Sequence, residues 1–183
     1  MLNEQEIVRR CLKHDPKAQK MLFESFAPVL LGVCIRYTVS RPEAEDILQE
    51  GFVKVFKYLK DFRGQSSLMA WMRRIMINTA ITYYHRNLKH QYHENIDVLA
   101  EKNTGGVEIS EIEFTGEEMM TVINDLPKGY TMVFNLYAIE GYKHREIAEL
   151  MSIDVNTSKS QYSRARKLIQ NKLEELGREK LNG

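Results

Sequence analysis

Residues 41–60 read RPEAEDILQEGFVKVFKYLK, and their periodicity decides the fold. Projected at 100° per residue, Ala44, Leu48, Phe52, Val55, Phe56 and Leu59 gather on one side, which predicts a helix with one face turned to a core. Ser40, Pro42 and Glu43 mark its start, combining a capping box with proline in the first turn. Asp46, Gln49, Glu50, Val53 and Lys57 lie on the opposite side. A solvated face accounts for the charges but leaves Val53 as a lone exposed apolar residue, a common enough feature. The other reading is a protein-binding face, since these carboxylates do not themselves attract DNA.

The same signals recur on both sides of that helix. Asn3 with Glu6 forms a capping box, and Asp15-Pro16 places an N-cap before proline at the first helical position, so helices are expected to start near residues 4, 16 and 41. A fourth is expected around Ser66 or Ser67, after the turn at Arg63-Gly64. Further helices are expected near 117–125, 128–140, 143–151 and 155–176, separated by Pro127, Gly141 and Ser152-Ile153-Asp154. Strand-like alternation is weak and no internal repeat is visible. The expected fold is all-α.

From Phe62 to His93 there is no Asp or Glu. This stretch carries Arg63, Arg73, Arg74, Arg86 and Lys89, interleaved with Phe62, Trp71, Tyr83, Tyr84 and Tyr92. Positive charge attracts phosphates regardless of sequence, and flat rings stack on bases removed from a duplex, so the pairing suggests opened or single-stranded nucleic acid. In projection, Met76, Ile77, Ala80, Ile81, Tyr84 and Leu88 share an apolar side, while Trp71, Arg74, Asn78, Thr82 and His85 form a polar stripe opposite. That stripe suits contacts to bases and phosphates. The plainer alternative is a core Trp71 with Arg74 lying over it.

The formal charge of +1 conceals an uneven distribution. Residues Glu94 to Glu118 hold Glu94, Asp97, Glu101, Glu108, Glu111, Glu113, Glu117 and Glu118 against Lys102, a net of −7, which leaves +8 elsewhere. This strip contains Asn103-Thr104-Gly105-Gly106 and lacks sustained apolar periodicity, so it reads as a flexible acidic linker over 93–116. Two small helical domains, 1–92 and 117–183, are expected around it. Its acids either belong to an ordinary solvated loop or act, by repelling DNA or by occupying a partner's basic groove as a strand mimic.

In the second domain, Glu146 to Met151, the turn Ser152-Ile153-Asp154 and the segment from Val155 onward have the dimensions of a helix-turn-helix, with small Ala148 at the close approach. Asp154 is expected to cap the second helix through the amide of Thr157. Ser158, Tyr162, Ala165 and Ile169 face inward; Asn156, Lys159, Ser160, Ser163, Arg166 and Lys167 face out. No acid intervenes between Asp154 and Glu174. Such a row suits a major groove, with its first residues at base edges and Arg164, Arg166 and Lys167 on phosphates.

Cys11 and Cys34 are the two cysteines, and their apolar-periodic surroundings read as buried thiols in a reducing cytoplasm. No signal peptide precedes the first helix and no apolar run reaches the about 18 residues of a membrane span, so a cytoplasmic protein with no membrane insertion is expected.

Taken together, the residues resemble a known family. Ala44-Glu45-Asp46-Ile47-Leu48-Gln49-Glu50-Gly51-Phe52, Asp61-Phe62-Arg63-Gly64, Ala70-Trp71 and Ile77-Asn78 are similar to the second conserved region of bacterial RNA polymerase sigma factors. Leu126-Pro127, Val133-Phe134-Asn135-Leu136-Tyr137, Glu140-Gly141-Tyr142, Glu146-Ile147-Ala148-Glu149 and Ser163-Arg164-Ala165-Arg166 are similar to the fourth. With these two regions alone, the chain resembles the extracytoplasmic-function (ECF) subfamily. The resemblance implies that Asp46, Gln49, Glu50 and Val53 dock on the clamp helices of the polymerase's largest subunit. It implies that Phe62, Arg63, Gly64, Gln65, Ser66 and Ser67, with Trp71, Arg74 and Asn78, capture an extruded base of the −10 element. It also implies that Asn156, Thr157, Lys159, Ser160, Ser163, Arg164, Arg166 and Lys167 engage the −35 duplex. Further implied partners are the flap of the second-largest subunit and an anti-sigma factor, with the linker threading the RNA-exit region.

The chain departs from the family pattern in three places. Ser152 stands where the family often has Gly, and Ser158 and Gln161 replace an apolar and a basic residue. No catalytic residue, cofactor or metal is implied, because phosphodiester synthesis belongs to the polymerase. Three rival readings use less of the chain. A stand-alone helix-turn-helix regulator has no use for the Asp46 to Glu50 face, an RNA-binding protein has none for duplex reading, and an enzyme would have to build a metal site from His85, His90 and His93.

Overall fold

The computed structural model describes residues 4–90 and 113–182, and all regular structure among them is helical. The chain divides into two compact units, Met1–Arg86 and Asn87–Gly183.

The first unit contains α1 (Glu4–Leu12), α2 (Pro16–Ile35), α3 (Arg41–Tyr58), a 3₁₀ turn (Leu59–Asp61) and α4 (Leu68–His90). The Asp15 carboxylate caps α2 by accepting from the amides of Lys17 and Ala18 at 2.9 and 3.3 Å. Arg10 grips the same carboxylate at 2.7 Å. Ser40 Oγ accepts from the Glu43 amide, and the Glu43 carboxylate accepts from the amide of Val39, outside the helix. Ser67 Oγ accepts from the Ala70 amide and opens α4. The expected pairing of Asn3 with Glu6 lies outside the described residues.

Burial follows the projected faces. Ala44, Leu48, Phe52, Val55 and Leu59 are buried with Leu22, Leu30, Met72, Met76 and Ala80. Phe56 is half-buried and Leu88 is 38% exposed, because α4 outruns the core that its apolar side covers. Gly51 lies where α3 meets α4, and a Cβ there would run into the sulfur of Met76, so that side chain would have to shift. Helix α2 is long and apolar enough to cross a bilayer, yet it carries Lys20 and Glu24 and buries Leu22, Leu30, Val33 and Cys34 in this unit. Both cysteines are free and buried, and burial pushes the Cys34 thiol up to about 12.

The second unit contains α5 (Gly116–Asn124), α6 (Lys128–Phe134), α7 (His144–Met151) and α8 (Val155–Asn182). The expected single helix over 128–140 instead widens after α6 into a π turn over Asn135–Ile139. Thr115 and Glu118 form a reciprocal capping box at the start of α5. Residues 93–112 of that expected linker lie outside the described residues. Val122, Ile123, Leu126, Ala165 and Ile169 make one buried cluster, extended by Leu173 and Leu176. These leucines continue the apolar stripe to the expected end at 176, and α8 runs on to Asn182. Lys180 pairs with Glu118, and Lys172 with Asp125, both at 2.9 Å.

Candidate nucleic-acid interface

On the outer side of α3, Asp46, Gln49 and Val53 are exposed, Val53 to 68%. Glu50 differs from them. It is half-buried and accepts from Lys54 Nζ at 2.9 Å and Arg86 Nη2 at 3.2 Å. Lys54, then Arg86, hold its carboxyl below the usual range. Lys54 also donates to Thr79 Oγ1 at 3.2 Å, and that buried hydroxyl donates to the Ile75 carbonyl. Thus α3 and α4 are laced together by charge as well as by packing.

The loop before α4 presents Arg63, Gly64, Gln65, Ser66 and Ser67 to solvent. Gly64 takes φ 69°, a left-handed turn that favours glycine. Phe62 and Trp71 are both half-buried and their rings meet at 5.4 Å and 51°. Trp71 is therefore neither a free platform nor a core residue: it anchors the start of the loop to the first turn of α4. Arg74, Asn78 and Thr82 are exposed along the same helix, and His85 is half-buried.

The helix-turn-helix is closed by Ser152, which adopts φ 53° and ψ 44° and donates its amide to the carbonyls of Ala148 and Glu149. Ala148 is buried at the close approach. The Asp154 carboxylate accepts from the Asn156 amide at 2.7 Å, one residue earlier than expected, so it closes a tight turn at the entrance to α8. Asn156, Lys159, Ser160, Ser163, Arg164, Arg166 and Lys167 are exposed, and Thr157 is half-buried. Ser158 and Ala165 are fully buried.

Ser158 Oγ shares a hydrogen bond of 2.9 Å with His144 Nδ1. His144 stacks on Tyr137 at 4.3 Å and 12°, Tyr137 meets Tyr162 at 4.5 Å, and Arg166 lies 6.0 Å over the Tyr162 ring. Burial, then the nearby Lys159 charge, lowers the His144 pKa. This ladder joins the start of α7 to the exposed row on α8. Gln161 is half-buried.

Sequence reasoning missed the Glu50 to Arg86 pair and the His144 to Ser158 pair, because partners 36 and 14 residues apart leave no local pattern. The capping box was legible as Thr-x-x-Glu at 115–118. Among the described residues no three His, Cys, Asp or Glu group as metal ligands. The His90 side chain and His93 lie outside them.

Residues 22–89 match the family described as Sigma-70 region 2, and residues 116–169 match Sigma-70, region 4. The chain is 31% identical to the ECF RNA polymerase sigma-E factor of Haemophilus influenzae, across 96% of this chain and 97% of that protein. It is 32% identical to the protein of the same name from Escherichia coli K12, across 96% of each. Among solved structures it resembles a sigma factor RpoE in complex with the anti-sigma factor NepR from Bartonella quintana. That match has a TM-score of 0.51 and 20% identity over 83% of this chain and 94% of the other, a likeness of fold.

Proposed function

The chain belongs to the ECF sigma factors of bacterial RNA polymerase, which direct promoter-specific initiation without themselves being enzymes, and from that premise we propose how its residues divide the work. Residues 1–92 serve as region 2, 93–116 as an acidic linker and 117–183 as region 4. Asp46, Gln49, Glu50 and Val53 dock on the clamp helices of the largest polymerase subunit. The flap of the second-largest subunit holds region 4. The chain works in the cytoplasm, where core polymerase is.

At the −10 element, Phe62 to Ser67 and Asn78 receive an extruded base, with Trp71 bracing Phe62 and Arg74 on the backbone. Unstacking a base costs a few kcal/mol, which stacking and hydrogen bonds in a pocket offset. At the −35 element, α8 enters the major groove: Asn156, Thr157, Lys159, Ser160 and Ser163 address base edges, while Arg164, Arg166 and Lys167 hold phosphates. An anti-sigma factor covers these faces until release. A neighbour of similar fold was solved with such a partner.

The observation that carries the reading is the exposure of Val53 among Asp46 and Gln49 on α3, alongside the exposed Arg74 and Asn78 on α4 of the same unit. A DNA-only regulator gains nothing from the α3 face. Pull-down of core polymerase is therefore the test, with Val53→Glu and Glu50→Lys expected to reduce capture and Asn78→Ala to leave it intact while lowering promoter opening. Capture of all three variants at the wild-type level would overturn the assignment.

A further inference from the structure

We infer that Arg86 is a further nucleic-acid-contacting residue of α4, held on the protein by Glu50 until core polymerase engages that carboxylate. The inference rests on the proposed reading of α3 as the polymerase face and α4 as the −10 face. Arg86 follows Thr82 by four residues, one turn on and about 40° round the helix, so its side chain neighbours the end of the exposed Arg74, Asn78 and Thr82 row. Its side chain is 53% exposed. In the free chain, however, that charge is already engaged.

The bonds from Arg86 Nη2 to the two Glu50 oxygens measure 3.2 and 3.5 Å. Charge-assisted contacts of this kind are usually about 2.7–2.9 Å, so the tether is loose and easily exchanged. Lys54 lies closer, at 2.9 Å, and keeps Glu50 compensated if Arg86 leaves. Glu50 is also four residues from Asp46 and three from Val53, on the face assigned to polymerase. A cationic partner group arriving there competes with Arg86 for one carboxylate. Docking on α3 then frees a positive charge on α4, and the chain gains a phosphate contact only once it is on the polymerase.

The test is fluorescence anisotropy of the full-length chain, without polymerase, on fluorescein-labelled oligo(dT). Glu50→Gln is expected to bind several-fold more tightly than wild type, with a salt slope steeper by about 0.7, the value for one phosphate on a single strand. Glu50→Gln with Arg86→Gln is expected to lose that gain. Wild-type binding by Glu50→Gln, or a gain that survives in the double variant, would overturn the role of Arg86. Arg74→Gln reports on the underlying reading: if it leaves oligo(dT) binding unchanged, the α4 face itself is misassigned.

Discussion

His144 Nδ1 lies 2.9 Å from Ser158 Oγ, a hydroxyl on a residue with no exposed surface, so the two helices of the helix-turn-helix are joined by a part-buried polar bond. His144→Phe keeps a ring on Tyr137 but removes the partner of that hydroxyl, which costs about 1–3 kcal/mol. Adding Ser158→Ala removes the stranded group and is expected to recover most of the loss. Thermal unfolding of the single and double variants measures the difference.

The same ring makes stability depend on pH. The unfolded chain protonates this histidine near a pH of about 6.5, whereas burial and Lys159 make the folded ring resist the proton. The unfolded state therefore binds more protons, and stability falls as pH drops through and below that value. His144→Phe is expected to flatten this part of the profile, read as melting temperature against pH.

Ser152 closes the turn with φ 53°, a left-handed conformation that glycine adopts without a Cβ penalty. Ser152→Gly is expected to stabilise the second unit by on the order of 0.5 kcal/mol, the relief of the clash less the entropy glycine loses on folding. A denaturant titration of wild type and variant shows it as a higher midpoint at constant slope.

Gly51 faces the fully buried Met76, whose terminal atoms occupy the place of a Cβ. Alanine would gain about 1 kcal/mol of helix propensity, but overpacking costs about 1–3 kcal/mol. Gly51→Ala is expected to destabilise the first unit, and shortening the neighbour with Met76→Val to restore part of the loss. Thermal melts of both variants decide the sign.

Much of this was legible in the sequence because it is periodic or local. The α3 stripe, the cap at Asp15, the Ser67 start and the Asn156 to Lys167 row each follow from spacing within one helix. Ser152 was marked by the resemblance alone, since it stands where the family often has Gly, and the structure shows its left-handed backbone. What escaped depends on which helices meet: Glu50 reaching Arg86, Lys54 reaching Thr79, and His144 reaching Ser158. The widening at Asn135–Ile139 escaped because a π turn shares the apolar pattern of the helix it continues. The end of α8 escaped because its last turn is held by Lys180 pairing with Glu118 of α5. Trp71 fell between its two readings, since its half-buried ring braces Phe62.

Run-off transcription by core RNA polymerase on a promoter library, with and without this chain, tests the central claim most directly. The expected result is a set of transcripts that appears only when the chain is present and shares −35 and −10 sequences at one spacing. Transcripts no more abundant or selective than those of core polymerase alone would contradict it.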